Sequence, residues 1–410
     1  MCGRWVDRTR KIKLYTIVTL LLQVVGCILY VIHFNVAYPL VGRLIGGLGD
    51  PFPSVSSGEV IRIYDKEGST RALWWLASVY SFGFMIGPVV ILFFKNIDFY
   101  IGSVHITQLN AIALFMAGLL LLTVVVAHFL IHDCSAEIDL KEYLKQQQAQ
   151  SHLEKHDEEP VKLVYNVPTE ETQLLVSNDY QKSDDTLNTF VTIPMSVIVR
   201  QLMRNPEAVL MFISTFIFMY GLFSADVLLP LLTIDVLEWS LTTLTWLLIT
   251  YSIVYFALLM VMSKYCTGSL GVYIMSIVCI VFNIILFVSM SAMKVWSRNQ
   301  VRDIVLMTCF IISYAFGWVI EEVIVRCMLA KMVPSHCQSF TESCRNAVSR
   351  SSTIVASVSA PLVLPFLEWW SAGLLLLIVV LLFFFVVRRR RLIDISEIYF
   401  PSEGNKEITT

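Results

Sequence analysis

The sequence predicts an all-α polytopic membrane protein, and three observations predict it. Of the 410 residues, 56 % are hydrophobic and only 15 % charged, with a mean hydropathy of +0.70. A soluble domain carries roughly 45–50 % apolar and about 25 % charged residues. The surplus apolar residues gather in ten runs, each long enough to cross about 30 Å of hydrocarbon at ~20 residues per helix. The basic residues fall almost wholly between alternate runs. With the N-terminus cytosolic, 25 of the 30 Lys and Arg lie on the cytosolic side, against Lys95, Lys294, Arg298 and Arg302 on the other and Arg43 inside a run. Cytosolic loops of membrane proteins carry that excess, so both ends of the chain are placed in the cytosol. This composition excludes a soluble enzyme, a disordered regulator and a nucleic-acid binder. The formal net charge of −2 leaves no global field for a polyanion.

The runs lie near 14–34, 38–62, 72–94, 107–130, 207–234, 241–262, 269–292, 303–330, 348–369 and 371–388. The second run holds Gly46, Gly47, Gly49, Pro51 and Pro53, so it is expected to bend or unwind there. Residues 132–206 are polar and mixed in charge, which reads as a long cytosolic loop with one amphipathic helix around 138–150. This loop divides the chain into four runs (1–131) and six (207–388), followed by a cytosolic tail (389–410). The Arg388–Arg391 run at the start of that tail reads as a topological anchor in preference to a phosphoinositide site. The cysteines lie in apolar runs or cytosolic loops and are expected to be reduced. His336, Cys337 and Cys344 lack metal-site spacing, no nucleophile elbow or phosphate loop is present, and no cofactor is implied.

The first residues, Gly3-Arg4-Trp5-Val6-Asp7-Arg8-Thr9-Arg10-Lys11, resemble the G-x-x-x-D-[RK]-x-x-[RK] signature of the major facilitator superfamily. Three further segments follow in the family's order. Arg43-Leu44-Ile45-Gly46-Gly47-Leu48-Gly49 is similar to its fourth-helix R-x-x-x-G-x-G, Ser69–Leu73 to the next loop, and Gly83-Phe84-Met85-Ile86-Gly87-Pro88 to its fifth-helix G-x-x-x-G-P. Phe216-Ile217-Phe218, Pro230-Leu231-Leu232-Thr233-Ile234-Asp235 with Trp239, Lys331–Pro334, Gln338, Pro361 and Arg391-Leu392-Ile393 look closest to one lysosomal branch. That branch is the one of major facilitator superfamily domain-containing protein 8 and its SPX-bearing vacuolar relatives.

The resemblance implies a transporter fold in which the chain starts at the loop between helices two and three. Residues 1–131 are then an incomplete N-terminal bundle, and the gene is expected to encode about two more helices upstream, ~20 residues each. Val89-Val90-Ile91 after Pro88 replaces the paired glycine of the antiporter form, so antiport is not implied. Gly47, Gly49, Gly83, Gly87 and Pro88 are assigned to helix packing. Gly3, Asp7, Arg8, Glu59 and Arg71 are assigned to a conformational latch, Asp7 capping a helix N-terminus and Arg8 or Arg71 pairing with Glu59.

Five of the ten runs contain no Asp, Glu, Lys or Arg, and a sixth, 371–388, has only Arg388 at its last position. The deep charges are Arg43 and Asp50 in the family's fourth helix, Asp226 in its seventh, and Glu321, Glu322 and Arg326 in its tenth. Those helices line the central cavity in the family, and an intramembrane charge seeks a cavity or a partner. Arg43 and Asp50, seven residues apart, share a helix face about 10 Å apart along the axis. Two readings stay open: Arg43 holds an anionic substrate while a carboxylate carries a proton, or Arg43 and Asp226 form a static pair. Glu322 and Arg326 have the i,i+4 spacing of a salt bridge, which leaves Glu321 as the freer proton relay.

Glu170-Glu171-Thr172-Gln173-Leu174-Leu175 resembles an acidic dileucine sorting signal read by a clathrin adaptor. The expected partners are thus the lipid bilayer, a small solute or ion, and that adaptor through Glu170, Leu174 and Leu175. The function expected is transport of a small solute or ion, an anion where Arg43 holds it, across an endolysosomal membrane by alternating access. The alternatives are a non-transporting scaffold or sensor, or a channel-like anion pathway. Enzymatic activity has no motif behind it.

Overall fold

The computed structural model describes residues 2–32, 37–49, 52–64, 66–94, 97–101, 104–133, 195–266, 268–295, 299–334 and 337–394. The chain opens with a short helix α1 (Cys2–Thr9) and turns sharply into α2 (Ile12–Val31). Arg10 makes that turn in the left-handed region, at φ 56°, and its N–H closes α1 on the Val6 carbonyl at 2.8 Å. The amide of Lys13, in the first turn of α2, donates to Asp133 at 2.9 Å, which ties the start of α2 to the end of α6 (Gln108–Leu130).

The second run forms two helices, α3 (Ala37–Leu48) and α4 (Phe52–Ile63), so the break falls in the Gly/Pro cluster as its composition predicts. Backbone contact with α2 is close. A Cβ on Gly26 would lie 2.7 Å from the Gly42 carbonyl oxygen, and one on Gly49 would lie 2.5 Å from that of Thr19. Only residues without side chains allow helices this near. Helix α5 (Lys66–Phe93) is followed by an antiparallel hairpin, β1 (Asp98–Ile101) and β2 (Val104–Thr107). Asp98 there pairs with Thr107 and Ile101 with Val104. Helix counting over the apolar runs misses this element because four-residue strands leave no hydropathy signal.

The later part begins with α7 (Met195–Arg204), a helix inside the segment expected to be loop. Asn205 then caps α8 (Pro206–Leu231), accepting from the Glu207 and Ala208 amides at 3.0 Å each. Helix α8 continues past Pro230 into a π-helical turn, Leu232–Val236. Next come α9 (Leu241–Tyr265), α10 (Ser269–Val295) and α11 (Gln300–Val319). A second π-helical turn, Ile320–Ile324, joins α11 to α12 (Val325–Met332). The last elements are α13 (Gln338–Val363), α14 (Leu367–Val387) and the short α15 (Arg389–Ile393).

Helix α13 starts ten residues before the run expected at 348. Its first turns carry Gln338, Ser339, Thr341, Glu342 and Arg345, all buried against neighbours, and hydropathy alone reads such residues as loop. Seven helical stretches among the described residues are long and apolar enough to cross a bilayer, the last being α13 and α14 in succession. With α3–α4 and α5 added, the architecture is compatible with ten spans. The main core lies among α8 to α14 and includes Phe218, Leu222, Phe287, Phe310, Tyr314 and Phe385. Helix α5 joins that core through Trp74, whose indole N–H donates to the Cys266 carbonyl at 3.0 Å.

Candidate functional site

Asp226 lies on α8, half buried, on a stripe it shares with Phe223, Val227 and Pro230. Each of these four is partly open, while the residues between them are packed into the core. The Tyr314 hydroxyl of α11 faces the Asp226 carboxylate, and the Trp318 indole packs edge-on against the Tyr314 ring. Around Tyr314 the rings of Tyr251, Phe310 and Trp318 have centroids at 4.9, 5.6 and 6.2 Å. Trp318 meets Phe223 edge-on at 6.0 Å. Three helices thus converge on one carboxylate through aromatic side chains. Pro230 adds to this. It has no N–H for the carbonyl four residues earlier, which is that of Asp226.

The other membrane charges lie elsewhere. Arg43 is exposed on α3, its guanidinium carbon 4.7 Å above the Tyr30 ring of α2. No Arg43–Asp226 ion pair occurs among the described residues. Asp50 falls outside them. The backbone of Glu321 and Glu322 runs through the π-helical turn between α11 and α12, where the regular 100° spacing of an α-helix does not hold. Their side chains are not among those described. Arg326 reaches across to Glu342 of α13 at 3.1 Å and donates to Ser57 of α4 at 3.3 Å. Its pairing therefore crosses between helices, beyond the i,i+4 bridge that spacing predicts.

Asp7 and Glu59, two of the residues assigned to a latch, meet in one polar contact at the end of the bundle that carries α1. Asp7 accepts from the Ser339 amide at 3.3 Å and the Phe340 amide at 2.7 Å, capping the N-terminus of α13 as the motif implies. Asp7 also pairs with Arg62, and Arg62 with Glu59 at 2.7 Å. The motif predicts Arg8 or Arg71 as the partner of Glu59, and Arg62 holds that place. It sits one turn away on the same helix, so no second element need move to reach the carboxylate. Arg71 is exposed on α5, and the Arg8 side chain is not among those described. Burial pushes the Asp7 carboxyl above the usual range, against the opposing charge of Arg62. Burial likewise holds the Cys337 thiol up at about 12.

Gly3 and Gly58 let α1 and α4 reach Ser339 itself: a Cβ on Gly58 would lie 2.6 Å from the Ser339 Cα. A few residues on, Glu342 accepts from Arg345 at 2.8 Å as well as pairing with Arg326. Asp7, Glu59, Arg62, Arg326, Glu342 and Arg345 form one buried polar layer joining α1, α4, α12 and α13.

The packing glycines divide. Gly49 fills a close contact with α2. A Cβ on Gly47, Gly83 or Gly87 meets nothing within 4 Å among the described residues, and the close approach of α2 and α3 is carried by Gly26, Gly42 and Gly49. Pro88 sits in regular α5. Glu170, Leu174 and Leu175 lie outside the described residues. Sequence reasoning overlooks Tyr314, Trp318 and Arg62. The i,i+4 series Phe310-Tyr314-Trp318 was available as a signal, as was the i,i+3 pair Glu59-Arg62.

The family model of the Major Facilitator Superfamily matches residues 1–356. No curated protein sequence matches the chain. Among solved structures the chain is similar to the proton:xylose symporter XylE bound to 6-bromo-6-deoxy-D-glucose. The TM-score is 0.64 at 14 % identity, covering 94 % of this chain and 82 % of that one. It is also similar to the human organic anion transporter MFSD10 (TM-score 0.60, 14 % identity, 93 % and 79 % covered). A bacterial homologue of the iron transporter ferroportin in an outward-facing state is similar at TM-score 0.60 and 14 % identity, with 94 % and 86 % covered. At that identity the structures speak for the fold alone; the match over most of the chain speaks for the family. This multi-pass, all-α membrane protein belongs to the Major Facilitator Superfamily, whose members are transporters.

Proposed function

We propose that the chain moves a small solute or ion across an endolysosomal membrane by alternating access, with Asp226 at the binding site. The observation that carries this reading is a carboxylate on the half-open stripe of α8, faced by aromatic side chains and by no basic partner among the described residues. A carboxylate in hydrocarbon is costly unless it faces a cavity or a ligand. Aromatic faces beside it favour a positively charged group. An anion held by Arg43 has less behind it, since that guanidinium lies exposed on a tyrosine ring. The latch supports the alternating-access part. It joins the two parts of the chain at what the basic-residue pattern makes the cytosolic end, so the state described is closed there. The endolysosomal part rests on the dileucine-like Glu170–Leu175 segment and on the resemblance to the domain-containing protein 8 branch.

The test is flux in proteoliposomes against a panel of small organic cations, anions and sugars. Asp226→Asn should abolish transport of a cationic class while yield and thermal stability hold. Transport of an anion that requires Arg43 and ignores Asp226 would overturn the site assignment. Absence of flux for every class, with the protein folded, would favour the scaffold.

A further inference from the structure

The helix before α8 and the helix after α14 end at the same place. Ile198 and Leu202 of α7 are buried in the main core, and so is Leu392 of α15. Arg388, at the head of α15, bonds Glu207 at the foot of α8 at 2.8 Å, and Arg391 approaches the same carboxylate at 3.6 Å. Arg204 is three residues from Glu207. Arg388–Arg391 thus gather at the foot of α8 beside Glu207, and Arg204 and Arg200 lie on the helix that leads into it.

Helix α7 has three distinct faces. Ile198 and Leu202 seat it on the bundle. Arg200 and Arg204, four residues apart, are both exposed on a second face. Met195, Val199 and Met203, again spaced by four, are exposed by 44, 38 and 62 % on the third. A helix with exposed apolar and basic stripes side by side suits the plane of a membrane surface. At the other side of the foot, residues Val386–Arg391 line a concavity of about 520 Å³. Exposed Val386 and Val387 end the last span, which sets the arginines beyond them at headgroup depth.

We propose that this foot binds a lipid whose headgroup carries phosphomonoesters, on the cytosolic leaflet. Guanidinium groups take phosphate in a two-pronged fashion, and several converging on one concavity match several phosphates on one headgroup. A free polyanion would engage the arginines and leave the apolar stripe of α7 in water, whereas a lipid engages both. The proposal rests on the cytosolic orientation read from the basic residues and not on the solute site.

The experiment is native mass spectrometry of the full-length protein, with lipid titrations in vesicles of phosphatidylcholine alone, with phosphatidylserine, or with phosphatidylinositol bisphosphate at matched total charge. Soluble inositol trisphosphate supplies the free-headgroup arm. The bisphosphate lipid should bind preferentially. Arg200→Gln with Arg204→Gln should weaken it roughly thirty-fold, from about 1 kcal/mol per arginine near a charged surface. This variant leaves the Arg388–Arg391 run, and hence the topology, intact. Met195→Ser with Met203→Ser should weaken lipid but not inositol trisphosphate. Equal binding of phosphatidylserine and the bisphosphate lipid at matched charge would reduce the foot to an ordinary basic anchor and overturn the proposal. Undiminished lipid binding in both variants would do the same.

Discussion

The stretch before the central loop and the stretch after it are held together differently. In the later stretch a single apolar core runs from α8 to α14, and 61 % of the most hydrophobic part of the α8 region is buried within the protein. In the earlier stretch the corresponding figure for α6 is 11 %, and the cores are small: Val6, Ile12, Tyr15 and Val55 in one, Val31, Ile106 and Ala111 in another. Inside a bilayer this is not weakness in itself, because lipid tails are as apolar as leucine and burial gains little. What holds the earlier stretch is close backbone packing at glycines, polar contacts with the later one, and the seating of Leu73, Trp74 and Ala77 of α5 in the main core. On the proposed function, one stretch carries the carboxylate-and-aromatic site, and the other moves against it and latches.

The largest expected effect comes from cutting the latch. Arg62→Ala leaves Asp7 and Glu59 facing each other, both nearly buried. Removing one partner of a buried pair costs about 3–5 kcal/mol. The closed state should lose population, read as greater reactivity of a cysteine introduced at Ser57 toward a water-soluble maleimide. Arg62→Ala with Asp7→Asn should recover part of the closure. Unchanged labelling in the single variant would mean the apolar contacts of α5 with α9 hold the two stretches by themselves.

Next is the glycine contact. Gly26→Leu forces a side chain into the Gly42 carbonyl of α3, and overpacking costs typically about 1–3 kcal/mol or more. Gly47→Leu points into open space among the described residues and should leave the thermal midpoint within a degree or two (roughly 0.5 kcal/mol). Equal loss in both would contradict the account of α2 and α3. Trp74→Phe should follow at about 1 kcal/mol, the value of one hydrogen bond to the Cys266 carbonyl. A thermal melt would read it.

These contacts also mark how far the sequence could be read. Apolar runs and the basic bias are properties of single segments, so the helices, their order and the break near Asp50 were legible. So was the cap of α13 by Asp7, because the first residues carry a motif. Partnership across segments was not. Arg62 looked like one more anchoring charge until folding set it between Asp7 and Glu59. The start of α13 looked like loop because Gln338, Glu342 and Arg345 are polar, and only contact with α1, α4 and α12 gives them a place to be buried. Tyr251, Tyr314 and Trp318 read as generic hydrophobic residues, since no local pattern says that α9 and α11 gather them beside Asp226. Arg43 drew attention because it is charged and deep, which is a reason for scrutiny and not a role.

Arg43 therefore gives the smallest expected effect and the sharpest test of the comparison. Its guanidinium lies over Tyr30 at 4.7 Å and is exposed. A cation–π contact at an exposed position is worth about 0.5–1 kcal/mol. Arg43→Gln should then shift the melt by only a few degrees and leave the flux of a transported cation within about two-fold, a change of roughly 0.4 kcal/mol or less in the barrier. Tyr30→Leu should match it, because the two variants remove one contact. If Arg43 instead held the solute, flux would fall by orders of magnitude in Arg43→Gln and stay near normal in Tyr30→Leu. That result would move the substrate site into the earlier stretch, and the later one would keep only the rigid core.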